Sequence, residues 1–144
     1  MELMIAVVVA GILASIAYPS LMSFIQRSRR ADAVAVLTNV VQAQERYRSN
    51  KSSYAESFSD LKMGDTAGET AGKLYTKYYD FDLAGVSESF VTGYQVTAKP
   101  RTGSAQARDV SNCATLSVKL EGGKLSYLAT DSSKNDTSAT CWSR

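Results

Sequence analysis

Leu3 to Ile25 is an unbroken run of 23 uncharged, mostly apolar residues, and it limits what this chain can become more than any other feature. Wound as a helix at 1.5 Å per residue, such a run spans the ~30 Å hydrocarbon core of a bilayer. Glu2 precedes it, the cluster Arg27, Arg29, Arg30 follows it, and Pro19 interrupts it. A carboxylate at the edge of an apolar span needs compensation. A proline costs a helix in water about 3 kcal/mol, but an apolar span tolerates it as a kink or local unwinding, so a hinge is expected at Pro19. The arginine cluster reads as the solvated flank that ends the span. Ala6, Ala10 and Ala14 recur at intervals of four with Gly11 and Ser15 beside them, a stripe that lets another helix come close. Simple tolerance of small residues in apolar helices explains the stripe equally well.

A cleavable signal peptide fits this run poorly, because a basic n-region is missing and the apolar character continues past the usual h-region. Orientation raises a conflict. The positive-inside rule keeps the arginine cluster in the cytoplasm, whereas a disulfide between Cys113 and Cys141 needs an oxidising compartment. The cysteines carry more weight here, since the rule compares two flanks and the N-terminal flank is expected to lie further upstream.

At 144 residues the chain has the size of one domain. Its net charge of +2 is unevenly spread: residues 27–62 carry seven basic against four acidic groups, residues 63–98 two against five, and residues 99–144 seven against four. There is no histidine, and the two cysteines are not in a metal-binding spacing. Histidine-based catalysis and most transition-metal sites are thereby disfavoured, no nucleophile elbow or phosphate loop appears, and neither an enzyme nor a cofactor is expected. One bridge between the cysteines, or two reduced buried thiols, are the alternatives. A Cys113–Cys141 bridge stabilises by about 3.5 kcal/mol on the chain-entropy argument.

Beyond the arginines, "ADAVAVLTNVVQAQERYRSN" lacks glycine and proline, and Val34, Leu37, Val41 and Gln44 follow helical spacing, with Val40 and Tyr47 widening the stripe. One helix reaching about Arg48 is expected, ending in the turn formers near Asn50. The glycine-rich Lys62–Lys73 stretch reads as a mobile excursion. Alternation then marks strands through Tyr79, Phe81 and Leu83, through Tyr94, Val96 and Ala98, and through Ala114, Leu116, Val118 and Leu120. Gly122-Gly123 suits a tight hairpin into "KLSYLA". The polar "TDSSKNDTSAT" reads as a loop. Its Asp131, Asn135 and Asp136 match no defensible calcium spacing, and "NDT" satisfies a glycosylation sequon that arises easily by chance.

"ELMIAVVVAGILASIAYPS" resembles the N-terminal signature of type IV pilins, and the resemblance covers the whole chain. More narrowly, "QERYRSNKSSYA", "YQVTAKPRTGSAQARDVSNCATLSV" and the terminal "CW" resemble PilE/ComP-like minor pilins of the type IVa system. The resemblance implies an α+β fold in which a long N-terminal helix packs against a four-stranded antiparallel sheet with a disulfide-closed C-terminal loop. Residues 1–26 would form the transmembrane and filament-core half of the helix. Residues 27–144 would form the headgroup: helix 27–50, variable loop 51–77, and sheet with C-terminal loop 78–144. Glu2 would pair with the N-terminal amine of a neighbouring subunit, and Pro19 would mark where the helix loosens on entering the filament. Met1 falls where an internal residue of the mature family protein lies, so a natural start further upstream is expected, with prepilin peptidase acting on the full-length form.

The function so implied is that of a structural subunit of a type IV pilus serving assembly, adhesion, twitching motility or DNA uptake. Its partners would be other pilin subunits through the N-terminal helix, the inner membrane before assembly, with the headgroup in the periplasm, and then the extracellular filament. One alternative is a DNA-binding receptor pilin, for which the basic C-terminal third offers Lys99, Arg101, Arg108 and Lys134, with Lys119 and Lys124 nearby. Ordinary surface charges, diluted by Asp109, Glu121, Asp131 and Asp136, are the bland explanation of those residues. The other alternative is a type II secretion pseudopilin, which shares the N-terminal helix.

Overall fold

The computed structural model describes residues 2–64 and 72–142. Its first element, α1, is a single helix of 47 residues, Glu2–Arg48. It carries Pro19 without a break in the helix. Within the first half, Ser15 Oγ donates to the Ile12 carbonyl at 2.7 Å and Ser23 Oγ to the Ser20 carbonyl at 2.8 Å. Each hydroxyl is thus satisfied by its own helix, which lets serine sit in an apolar face. Leu3, Ile12, Ile16, Leu21 and Phe24 are all exposed, so this half presents an apolar surface of mean hydropathy 2.1, long enough to cross a membrane.

The second half is amphipathic, with its buried stripe turned slightly from expectation. Ala33, Leu37, Val40 and Gln44 are fully buried, whereas Val34 and Val41 are only half-buried. Small Ala33 faces the sheet, so the larger valines beside it fall to the flanks. Buried Gln44 needs both ends of its amide satisfied. Its Nε2 donates to the Ala55 carbonyl at 3.0 Å and its Oε1 accepts from the Ala55 N–H at 2.8 Å, which pins the loop after the helix.

The sheet is antiparallel, with five strands in sequential order: β1 Leu74–Tyr75, β2 Tyr79–Val86, β3 Ser89–Pro100, β4 Thr115–Glu121 and β5 Lys124–Thr130. Four strands were expected. The fifth, β1, is only two residues long and sits inside the presumed loop 51–77, too short to show alternation. Of the Lys62–Lys73 excursion, residues 65–71 lie outside the described residues.

Cross-strand rows explain the core. Phe81, Ala98, Leu116 and Ala129 lie opposite one another across β2 to β5, as do Leu83, Val96, Val118 and Tyr127 in the next row. This face packs on Ala33, Leu37 and Val40 of α1. Burying several such large side chains, at roughly 1.5–3 kcal/mol each, is the main force holding the helix to the sheet.

Gly122 and Gly123 have φ of +55° and +82°, the signature of a type I′ turn. The β2–β3 hairpin makes the same kind of turn without glycine, through Ser87 (φ +52°) and Glu88 (φ +61°). Between β3 and β4 the chain detours through a 3-10 turn, Ala105–Asp109, and a short helix α2, Val110–Cys113. After β5, the stretch expected to be loop pairs Thr130 with Asp136 and then forms α3, Ser138–Cys141. Cys113 and Cys141 are bridged, their Cα atoms 6.0 Å apart.

Candidate nucleic-acid interface

The detour between β3 and β4 is tied to α1 by buried polar groups, which is unusual enough to require partners. Asp109 and Gln106 are completely buried. Arg30 Nε sits 3.1 Å from Asp109 Oδ2, with the two side chains 12% and 0% exposed. Gln106 Nε2 donates to Asp109 Oδ2 at 2.8 Å and to the Gln26 carbonyl of α1 at 3.4 Å. Arg30 Nη1 also donates to Cys113 Sγ at 2.9 Å, so a single guanidinium holds both the detour and the disulfide. Arg29 stacks its guanidinium 4.5 Å from the Tyr78 ring centroid.

The expectation of a solvated arginine flank is therefore corrected. Arg27 is exposed, but Arg29 and Arg30 are half-buried and belong to the headgroup. The reason is that the headgroup already packs on this turn of the helix, with Tyr78 covering Arg29 and Asp109 and Cys113 covering Arg30.

Burial pushes the Asp109 carboxyl above the ordinary carboxylate range, while Arg30, Gln106 and Asn112 pull it back only in part. The Tyr79 hydroxyl is also pushed up, chiefly by desolvation and then by the charge of Asp109. At the far edge of this end, Asp131 is an exposed turn carboxylate held below the usual range by the side chain and backbone of Asn135. It accepts from the backbone N–H groups of Ser133 and Asn135 and from the Asn135 side chain, so its oxygens are already occupied by its own loop.

Of the candidate cations, Lys99, Arg101, Arg108 and Lys134 all lie at the end of the sheet near Gln26–Arg30 of α1: Lys99 at the close of β3, Arg101 and Arg108 on the detour, and Lys134 in the loop after β5. Lys99 pairs with Asp82 at 2.7 Å, the two side chains 56% and 63% exposed. Arg101 pairs with Asp80 at 3.3 Å and stacks 5.0 Å from the Tyr75 ring. Arg108 and Lys134 are exposed and have no ion pair among the described residues. Lys119 pairs with Glu121, and Lys124 opens β5 at the other end of the sheet, so neither joins this group. Glu2 and Pro19 are both within α1, and their side chains lie outside the described residues.

This end can attract a polyanion. Exposed ion pairs are worth little, so Lys99 and Arg101 can exchange their carboxylates for phosphates, and Arg108 and Lys134 have nothing to give up. Sequence reasoning missed Arg29, Arg30, Gln106 and Asp109 as a group. The one available hint was a charged residue, Asp109, four positions before a cysteine in an otherwise polar loop.

No curated protein matches the chain. The family described as type IV minor pilin ComP, DNA uptake sequence receptor, has a model that matches residues 19–117, which includes the amphipathic half of α1, the detour and strands β1 to β3. By that match, carried by more than half of its length, this chain belongs to the family of the type IV minor pilin ComP.

Proposed function

We propose that this chain is a minor subunit of a type IV pilus that binds DNA during uptake through the basic end of its headgroup. The family match supports it, and the carrying observation is that Arg108 and Lys134, both without ion pairs among the described residues, gather with Lys99 and Arg101 at one end. Phosphate contacts by these side chains would supply affinity and salt dependence. The role is structural and recognitional rather than enzymatic.

The apolar half of α1 is the segment that would anchor the chain in the inner membrane, headgroup in the periplasm, and afterwards pack with other subunits in the filament. Glu2 would be neutralised by a neighbouring subunit's amine, and Pro19 would allow local unwinding in that transition. Prepilin peptidase would process the full-length form. Residues 1–26 and 27–144 thus divide the work between assembly and recognition.

Filaments sheared from cells with and without this chain test the proposal. The chain should be a trace component relative to the dominant subunit, and filaments lacking it should capture markedly less DNA. Equal DNA capture by both preparations would contradict the receptor role, and absence of the chain from filaments would contradict the pilin role.

A further inference from the structure

A half-open groove of about 510 Å³ runs between the Arg27–Thr38 stretch of α1 and the C-terminal edge of the sheet. Its size lies within the range of small-ligand sites. Arg27, Arg30, Ala31 and Val34 line it on the helix side, and Tyr127 and Trp142 on the sheet side. Val34 is half-buried because it faces this groove rather than the core. Tyr127 is 51% exposed, and its ring meets that of Trp142 edge-on with centroids 5.0 Å apart. Trp142 Nε1 donates to the Leu128 carbonyl at 2.8 Å, which fixes the aromatic wall to the edge of β5. Arg27 is exposed and has no ion pair among the described residues.

We propose that this groove takes an unpaired nucleotide of a DNA strand, its base stacked on Tyr127 and its phosphate held by Arg27. Every base offers a π-face, and an aromatic wall beside an arginine is the combination that single strands use. An aliphatic occupant would cover the apolar helix side but make no use of the Arg27 guanidinium, which a phosphate engages. The inference rests on the DNA-binding reading above and adds to it a second contact, made by residues other than Lys99, Arg101, Arg108 and Lys134.

Trp142 is the single tryptophan of the chain, so its fluorescence reports on this groove alone. The full chain in detergent micelles would be titrated with a short oligothymidylate, following Trp142 emission, and with a labelled duplex, following anisotropy. The expected result is saturable quenching by the oligothymidylate. Its affinity should fall roughly tenfold in Tyr127→Ala, fall also in Arg27→Gln, and be retained in Tyr127→Phe, which keeps the ring. Duplex binding with no Trp142 response to oligothymidylate, and no effect of Tyr127→Ala, would overturn the groove inference and leave the DNA reading standing. Failure of both DNAs to bind would overturn both. A Trp142 response to subunit concentration but not to oligothymidylate would assign the groove to a neighbouring subunit and likewise overturn the proposal.

Discussion

Among single residues, Arg30 does the most to join the helix to the rest. It faces a fully buried carboxylate and touches the disulfide sulfur of Cys113. Removing one member of such a pair leaves a buried charge without compensation, which is far more damaging than losing a surface pair. Arg30→Ala should therefore destabilise by about 3 kcal/mol in urea melts, whereas Lys99→Ala, which breaks an exposed pair, should change stability by less than about 1 kcal/mol. Equal effects would show that the Arg30–Asp109 contact has no special weight. The same site predicts a pH dependence. Because burial raises the Asp109 pKa, the folded state holds that proton more tightly than the unfolded chain does. Its contribution to stability is then fully present below the unfolded value of about 3.9 and is lost as pH rises through the raised folded value. Asp131 and Asp136 are lowered and act in the opposite sense, losing their contribution as pH falls. The melting temperature of the chain minus that of Asp109→Asn isolates the first effect. It should decrease as pH rises above about 4 and then level off, and a flat difference would contradict the assignment.

At the level of elements, the turns show where the sequence was readable and where it was not. Gly122-Gly123 announces its hairpin because only glycine takes two successive positive φ values at no cost. The β2–β3 turn is made by Ser87 and Glu88 in the same region of φ, so no turn signal could be read from their identities. A side chain there costs roughly 1–2 kcal/mol per residue. Glu88→Gly should accordingly stabilise the protein by about 0.5–1 kcal/mol once the greater freedom of glycine in the unfolded chain is discounted. Gly93 is the reverse case. A Cβ there would collide with the Leu120 carbonyl oxygen, so Gly93→Ala must displace β4 and should cost at least about 2 kcal/mol. If chemical denaturation ranks the two variants the other way, the strand geometry around Tyr94 is misread. Strands with strict alternation, such as Tyr79-Phe81 and Tyr94-Val96-Ala98, were legible because period two survives in a half-buried sheet. The two-residue β1, the Ala105–Cys113 detour and α3 were not, since none is long enough to establish a period.

Taken whole, the molecule joins an apolar rod to a headgroup in which Lys99, Arg101, Arg108 and Lys134 lie at the end nearer the point where the two meet. The rod was the most legible part, since 23 uncharged residues admit few other fates. The basic C-terminal third was legible as composition, but its arrangement was not. Which cations are spoken for depends on strand register, with Asp80 opposite Lys99 and Asp82 one step further along, and register is a tertiary property. The groove beside Trp142 was invisible for the same reason: Arg27 and Trp142 are separated by nearly the whole headgroup in sequence. The disulfide closes that arrangement, and its reduction should lower stability by about 3.5 kcal/mol and loosen the detour with it. The most direct test of DNA recognition by this end is the dependence of duplex affinity on salt for the full chain and for the Arg108→Ala, Lys134→Ala double variant. If both residues contact phosphates, the variant binds more weakly and its log–log salt slope is shallower by about 2, one unit per lost contact. Superimposable salt plots for the two proteins would contradict the account and remove this surface from DNA binding.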